Sequence, residues 1–158
     1  MNVKMYQRNQ FWEYVKMFIA KSEYLSKRIK VSDAEDKSRY LHIDGINNFK
    51  SKLEKFNCTH IDLSVSTRRR NPCVWYLIKD NDINGRDSLL EIVQNHFSNN
   101  NIAGISYSVD NENGNEDGRI KFIITRHLEE NVETLKSEAN KLVYLLRKSV
   151  KAISSYIK

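Results

Sequence analysis
Apolar positions divide the chain into elements before any other property is considered. Phe11, Trp12, Val15, Phe18, Ile19, Leu25 and Ile29 follow i, i+3/i+4, i+7 spacing and form one stripe. That spacing predicts a helix ending near Lys30. Lys16, Lys21, Lys27, Arg28 and Lys30 fall mostly outside the stripe or at its edge. A two-residue period then takes over. Tyr40 to Asp44 sets Leu41 and Ile43 on one face and His42 and Asp44 on the other, as a strand does. Thr59 to Thr67 alternates more clearly, with Ile61, Leu63 and Val65 inward and His60, Asp62, Ser64 and Ser66 outward. Val74 to Lys79, rich in aromatic and branched residues, reads as a third strand. Between the first two, Phe49, Leu53 and Phe56 suit a short amphipathic helix or a folded loop.

The second half repeats the logic. Ser88-Leu89-Leu90-Glu91 has the form of a capping box and predicts a helix burying Leu89, Ile92, Val93 and Phe97, ended by the polar run at 98–101. Ile102 to Val109 alternates again, and the Asn-Gly and Asp-Gly pairs within 110–118 predict a hairpin returning along Arg119 to Thr125. A last helix, roughly Glu130 to Tyr156, has Val132, Leu135, Ala139, Leu142, Leu146, Val150, Ile153 and Ile157 in register. No composition break, linker or repeat interrupts the order α-β-β-β-α-β-β-α. The expectation is one α+β domain over residues 1–158. An antiparallel sheet of about five strands would pack against an N-terminal, a middle and a long C-terminal helix on one face. Its core should hold Trp12, Phe18, Leu63, Val65, Ile92, Ile105, Phe122, Leu142 and Leu146.

Composition narrows the class. A 40% hydrophobic chain with two Trp, eight Tyr and six Phe can fill a core and is not a disordered composition. No apolar run approaches the roughly 18 residues of a membrane span, and the start MNVKMYQRNQ lacks the apolar stretch of a signal peptide. A cytoplasmic protein without membrane contact is therefore expected, with Cys58 and Cys73 as reduced thiols rather than a disulfide.

Charge is unevenly spread. Residues 1–79 hold 16 Lys/Arg against 8 Asp/Glu, whereas residues 80–158 hold 10 against 12. A basic half suits phosphates or an acidic partner. Arg68, Arg69 and Arg70 precede Asn71-Pro72, which is turn chemistry between two strands. The triplet is therefore expected at an exposed hairpin tip. Three cations in a row cannot all point one way, which suits backbone phosphates better than base edges. Lys27, Arg28 and Lys30 would extend that patch if the first helix ended near the hairpin.

One pattern carries candidate chemistry. His-Ile-Asp occurs twice, setting His42 with Asp44 and His60 with Asp62 on one strand face each. If the two strands pair in register, four nitrogen or oxygen ligands converge, enough for a divalent metal or an acid–base pair. The same residues on a solvent-facing strand also form ordinary hydrogen bonds, so the pattern alone assigns no metal, cofactor or catalytic residue. Phosphate-binding glycine loops and the H-E-x-x-H metal motif do not occur, the 110–118 loop does not match an EF-hand, and Asp62-Leu63-Ser64 has Ser where a metal-dependent nuclease would carry Lys.

Phe11-Trp12 opening the first helix, the strands His60 to Val65 and Val74 to Ile78, the segment Gly104 to Tyr107 and the strand Arg119 to Ile124 together resemble a bacterial domain of unknown function, family 4268. Two departures stand out. Tyr107 lies one place before the Trp that usually ends the family's G-x-x-x-W, and Ile46 to Cys58 looks like an insertion. In that family the domain occurs alone or behind a restriction-nuclease-like domain. The resemblance implies an accessory module of a bacterial defence or mobile-element system and supplies no catalytic residues. The expected function is non-catalytic, sequence-tolerant binding of DNA or RNA through the basic hairpin. A protein-interaction module acting on a defence-system protein is the alternative, a metal-dependent nuclease stands behind both, and a homodimer is left open.

Overall fold
The computed structural model describes the backbone of residues 5–33, 40–65, 72–79, 82–99, 105–110, 118–124 and 132–156, and the side chains within them other than those of 5–7, 97–99, 105–110, 118–124 and 132. The elements run α1 (Met5–Lys21), α2 (Glu23–Ser26), β1 (Ile29–Asp33), β2 (Tyr40–Gly45), α3 (Asn47–Lys55), β3 (Cys58–Val65), β4 (Pro72–Ile78), α4 (Ile83–Asn99), β5 (Ile105–Asp110), β6 (Gly118–Ile124) and α5 (Val132–Tyr156). The fold is α+β. Among the described residues six strands form one sheet in the order β1-β2-β3-β4-β6-β5, and every neighbouring pair is antiparallel.

Both the strand count and the element order correct the sequence expectation, and the cause is Ser22. Its backbone is extended (φ −79°, ψ 109°), which ends α1, and its hydroxyl accepts the Leu25 N–H at 3.2 Å to cap α2. Serine favours such caps because its short side chain satisfies an orphan N–H at a helix start. Beyond α2 the chain extends, and Ile29 to Asp33 pair with Gly45 to Leu41 as an edge strand. Leu25 and Ile29 do share a core with Phe11, Trp12, Val15 and Ile19. The apolar spacing was right about burial and wrong about the element.

The segment after β2 resolves as the helix α3, which buries Phe49 and Leu53. It stops at Asn57, which adopts a left-handed φ of 54°, a conformation asparagine tolerates at helix ends. Asn57 then clamps the end of β4: its carbonyl accepts the Lys79 N–H at 2.8 Å and its side-chain amide donates to Lys79 O at 3.1 Å. Helix α4 starts five residues before the expected capping box. Asp82 is the residue at its start, with Oδ1 accepting from Gly85 N–H at 3.1 Å and its carbonyl from Arg86 N–H at 2.9 Å, so Ser88 lies inside the helix.

Helix α5 lies over β4, with α1, α3 and α4 packed against it. One apolar cluster joins Trp12 of α1, Leu63 and Val65 of β3, and Leu142 and Leu146 of α5. Phe18 and Ile92 are only partly buried against it, and the side chains of Ile105 and Phe122 lie outside the described ones. Tyr76, fully buried, has its phenol pushed well above its ordinary range by burial, and the hydroxyl of Ser149 on α5 offsets part of that cost. Lys16 Nζ on α1 meets Asp33 on β1 at 2.8 Å, a hydrogen bond that raises the lysine's pKa. Both cysteines are buried thiols outside any disulfide. Cys58 pairs with Ile78 and Cys73 with Ser64 along the β3–β4 ladder, so about 20 Å of strand separates them, far beyond disulfide reach. Burial pushes the Cys58 thiol up to about 12. Among the described residues no helix is long and apolar enough to cross a membrane.

The first turn of α4 sits directly on the end of α3. A Cβ at Gly85 would lie 2.5 Å from the Phe56 carbonyl oxygen and 2.9 Å from Asp82 Oδ2. The nearer contact is backbone and cannot swing aside. Gly85→Ala should therefore destabilise the protein by about 1–3 kcal/mol, against the usual gain from replacing glycine in a helix. Urea unfolding measures it, and an unchanged or raised midpoint would contradict this close approach.

Candidate functional site
Two groups of side chains stand out, and the sheet's layering sets them apart. The first is a cleft of about 830 Å³ where the end of α1 and the α2 turn meet α5. Its walls carry Lys21, Lys27 and Arg28 from one side and Lys141 and Arg147 from the other, with Glu23 as the single carboxylate. Lys27 Nζ already holds Glu23 at 3.0 Å. Two tyrosines interleave the cations. The Arg28 guanidinium stacks 3.7 Å from the Tyr24 ring centroid while its Nη1 donates to Tyr24 O at 2.9 Å. Lys151 Nζ lies 5.4 Å from the same ring, and Lys148 Nζ lies 5.4 Å from the ring of the exposed Tyr144. A smaller hollow of about 300 Å³ continues the surface past Lys27 and Arg28 to Lys52, whose ammonium donates to the Ser154 carbonyl.

Lys27 and Arg28 thus belong to a basic surface, with partners the sequence reading did not foresee. They were expected to extend an Arg68–Arg70 hairpin patch if the first helix ended near it. Arg68, Arg69 and Arg70 themselves lie outside the described residues. Lys30 is elsewhere again, exposed on β1 as the pairing partner of Asp44. The cations missed were Lys141, Arg147, Lys148 and Lys151. Read with Tyr144, they recur every three or four positions along α5 opposite its apolar stripe, a signal the sequence contained.

The second group lies on the sheet face away from the apolar cluster. Antiparallel pairing sets His42 directly opposite Asp62, and Asp62 opposite Trp75. Both His-Ile-Asp copies therefore converge. His42 Nε2 and Asp44 Oδ1 are 2.9 Å apart, His42 Nδ1 and Asp62 Oδ1 3.5 Å, and His60 Nε2 and Asp62 Oδ2 3.4 Å. The two imidazole rings lie with centroids 4.3 Å apart, tilted by 38°. Ligand atoms of His42, His60 and Asp62 all fall within 4.8 Å of one another. Further along the same face, the Trp75 indole N–H reaches both Ser64 Oγ and Cys73 Sγ at 2.9 Å, and Ser64, expected outward and exposed, is buried.

Compared with protein-family models, curated proteins and solved structures, the chain matches none.

One titratable group registers the crowding of positive charge. His96 on α4 has its pKa lowered, first by burial and then by the ammonium groups of Lys148 and Lys151. A histidine lowered on folding binds its proton more readily in the unfolded chain, so stability is highest above the ordinary value of 6.5 and is lost as the pH falls through it. His96→Gln should shrink the drop in urea midpoint between neutral and mildly acidic pH. An equal drop in parent and variant would show that His96 is not crowded by these lysines.

Proposed function
We propose that the protein is a non-catalytic nucleic-acid-binding module that grips phosphates in the cleft between α2 and α5. Five cations line the cleft against two carboxylates, Glu23 at Lys27 and Glu138 behind Lys141, and this excess of positive charge carries the reading. Clustered like charge costs self-repulsion unless a counter-charge is present, and a polyanion supplies it along the length of a groove. The interleaved tyrosines add support. Tyr144 is 42% exposed, and an exposed ring beside cations offers a sequence-tolerant surface on which a base stacks. Such binding would suit the bacterial defence or mobile-element setting that the resemblance to family 4268 implies. The arginines of residues 68–70 form a second phosphate-binding region in this reading.

Fluorescence anisotropy with labelled single-stranded and duplex oligonucleotides, run across salt concentrations, tests the proposal. Lys21, Lys27 and Arg147 are exposed and can be changed without touching the core. Lys141 is left alone because it holds the buried Glu138 at 3.3 Å. The Lys21→Gln/Lys27→Gln/Arg147→Gln variant should bind more weakly and flatten the salt dependence by up to about 2 logarithmic units per decade on single strands. A parallel Arg68→Ala/Arg69→Ala/Arg70→Ala variant sorts the two regions. If only the second variant loses affinity, the cleft is not the site. Binding that ignores salt in the parent would favour an apolar protein interface instead.

A further inference from the structure
We propose that His42, His60 and Asp62 bind a divalent first-row transition-metal ion of the zinc type, with Asp44 and Thr59 orienting the two imidazoles. The inference is independent of nucleic-acid binding in the helix-side cleft. It begins with the protons. The Thr59 hydroxyl donates to Leu77 O at 3.4 Å, which leaves its oxygen to accept the His60 Nδ1–H at 2.9 Å. His60 Nε2 then carries a lone pair towards Asp62 Oδ2. Likewise, the His42 Nε2–H donates to Asp44 Oδ1 at 2.9 Å, so Nδ1 turns a lone pair towards Asp62 Oδ1. In this tautomer assignment two lone pairs and a carboxylate face one another. Such a set repels itself until a cation, a proton or a metal ion, stands between its members.

The spacing fits a metal better than it fits hydrogen bonds. Good N–H···O bonds centre near 2.9–3.0 Å, whereas the two contacts to Asp62 are 3.4 and 3.5 Å. Ligands about 2.1 Å from a tetrahedral zinc ion are about 3.4 Å from each other; here each histidine meets a different Asp62 oxygen, and one ligand atom from each of the three residues lies within 4.8 Å of the others. Each imidazole also has its outer nitrogen held by an oxygen partner, the arrangement that fixes tautomer and ring orientation in metal-binding histidines. Two imidazole nitrogens and one carboxylate favour zinc, cobalt or nickel over magnesium or calcium, which take oxygen ligands. The three side chains are between 22% and 31% exposed, so an ion can enter without unfolding. Three protein ligands leave a coordination position for water or a further ligand.

The test uses the full chain without a polyhistidine tag, stripped with a chelator. Cobalt(II) titration followed by visible absorption, and zinc(II) titration by calorimetry, should each show one equivalent bound, with magnesium giving none. His60→Gln and Asp62→Asn should abolish the stoichiometric uptake while far-ultraviolet circular dichroism stays that of the parent. Asp44→Asn keeps all three ligands and should weaken binding about 10- to 100-fold. His96→Gln should leave it unchanged. Failure of the parent to take up one equivalent of either ion, or uptake that survives both His60→Gln and Asp62→Asn, overturns the site. If a ligand variant fails to fold, the graded loss in Asp44→Asn still decides, and equal affinity there also overturns it.

Discussion
Everything in this molecule depends on the register of β3 between β2 and β4. Leu63 lies opposite Leu41 on one side and Val74 on the other, and the three form part of a buried row under the helices. The adjacent row, His42, Asp62 and Trp75, turns to the opposite face. Because side chains alternate with a period of two, slipping β3 by one residue would drive His60 and Asp62 into the core and expel Ile61 and Leu63. Burying an unpaired carboxylate is far costlier than losing a few ladder bonds. The same exclusion that builds the core therefore assembles the histidine–aspartate group, with no separate device needed to align it.

Helix α5 extends that constraint to the other side of the molecule. Its Leu142, Leu145, Leu146, Val150 and Ile153 are buried, which fixes the rotation of the helix about its own axis. Once that rotation is fixed, Tyr144, Arg147, Lys148 and Lys151 have little choice of direction. Polar atoms within the packed face refine the fit: Ser149 Oγ donates to the Leu145 carbonyl at 2.9 Å and lies beside the Tyr76 hydroxyl of β4. The basic surface is thus a by-product of core packing in its orientation, though not in its composition. The helix needs a polar outer face, but nothing in packing requires that face to be cationic.

Strand alternation was the most legible feature of the sequence. It placed β2, β3 and β4 to within two residues at each end, and with them both His-Ile-Asp pairs, because an antiparallel register leaves few ways to bury Leu41, Ile43, Ile61 and Leu63 together. The helical stripe of the first thirty residues misled for a physical reason. Leu25 and Ile29 are buried in the same cluster as Ile19, and core spacing survives a chain reversal at Ser22 that breaks the helix. Ser88-Leu89-Leu90-Glu91 misled similarly: it has the letters of a cap, but Asp82 supplies the oxygen. The cleft was the least legible element. It needs α2 and α5 side by side, over a hundred residues apart in sequence, and no local pattern reports such a contact.

The two side-chain groups differ in charge as well as in face. Carboxylates beside Arg28 and Arg147 would pair with the guanidiniums and lower the positive charge of the cleft. Lysines crowded among His42, His60 and Asp62 would take the place of a metal ion at the carboxylate. Lys30 is the informative boundary case: it is the cross-strand partner of Asp44, the carboxylate that orients His42, and not of Asp62, which would receive the ion. Opposite charges directly across a ladder attract modestly, so Lys30 can steady Asp44 without competing for the ligand position. Each group also holds counter-charges of its own: Lys27 meets Glu23 at 3.0 Å and Lys141 meets Glu138 at 3.3 Å on the helix side, while His42 meets Asp44 at 2.9 Å on the sheet face.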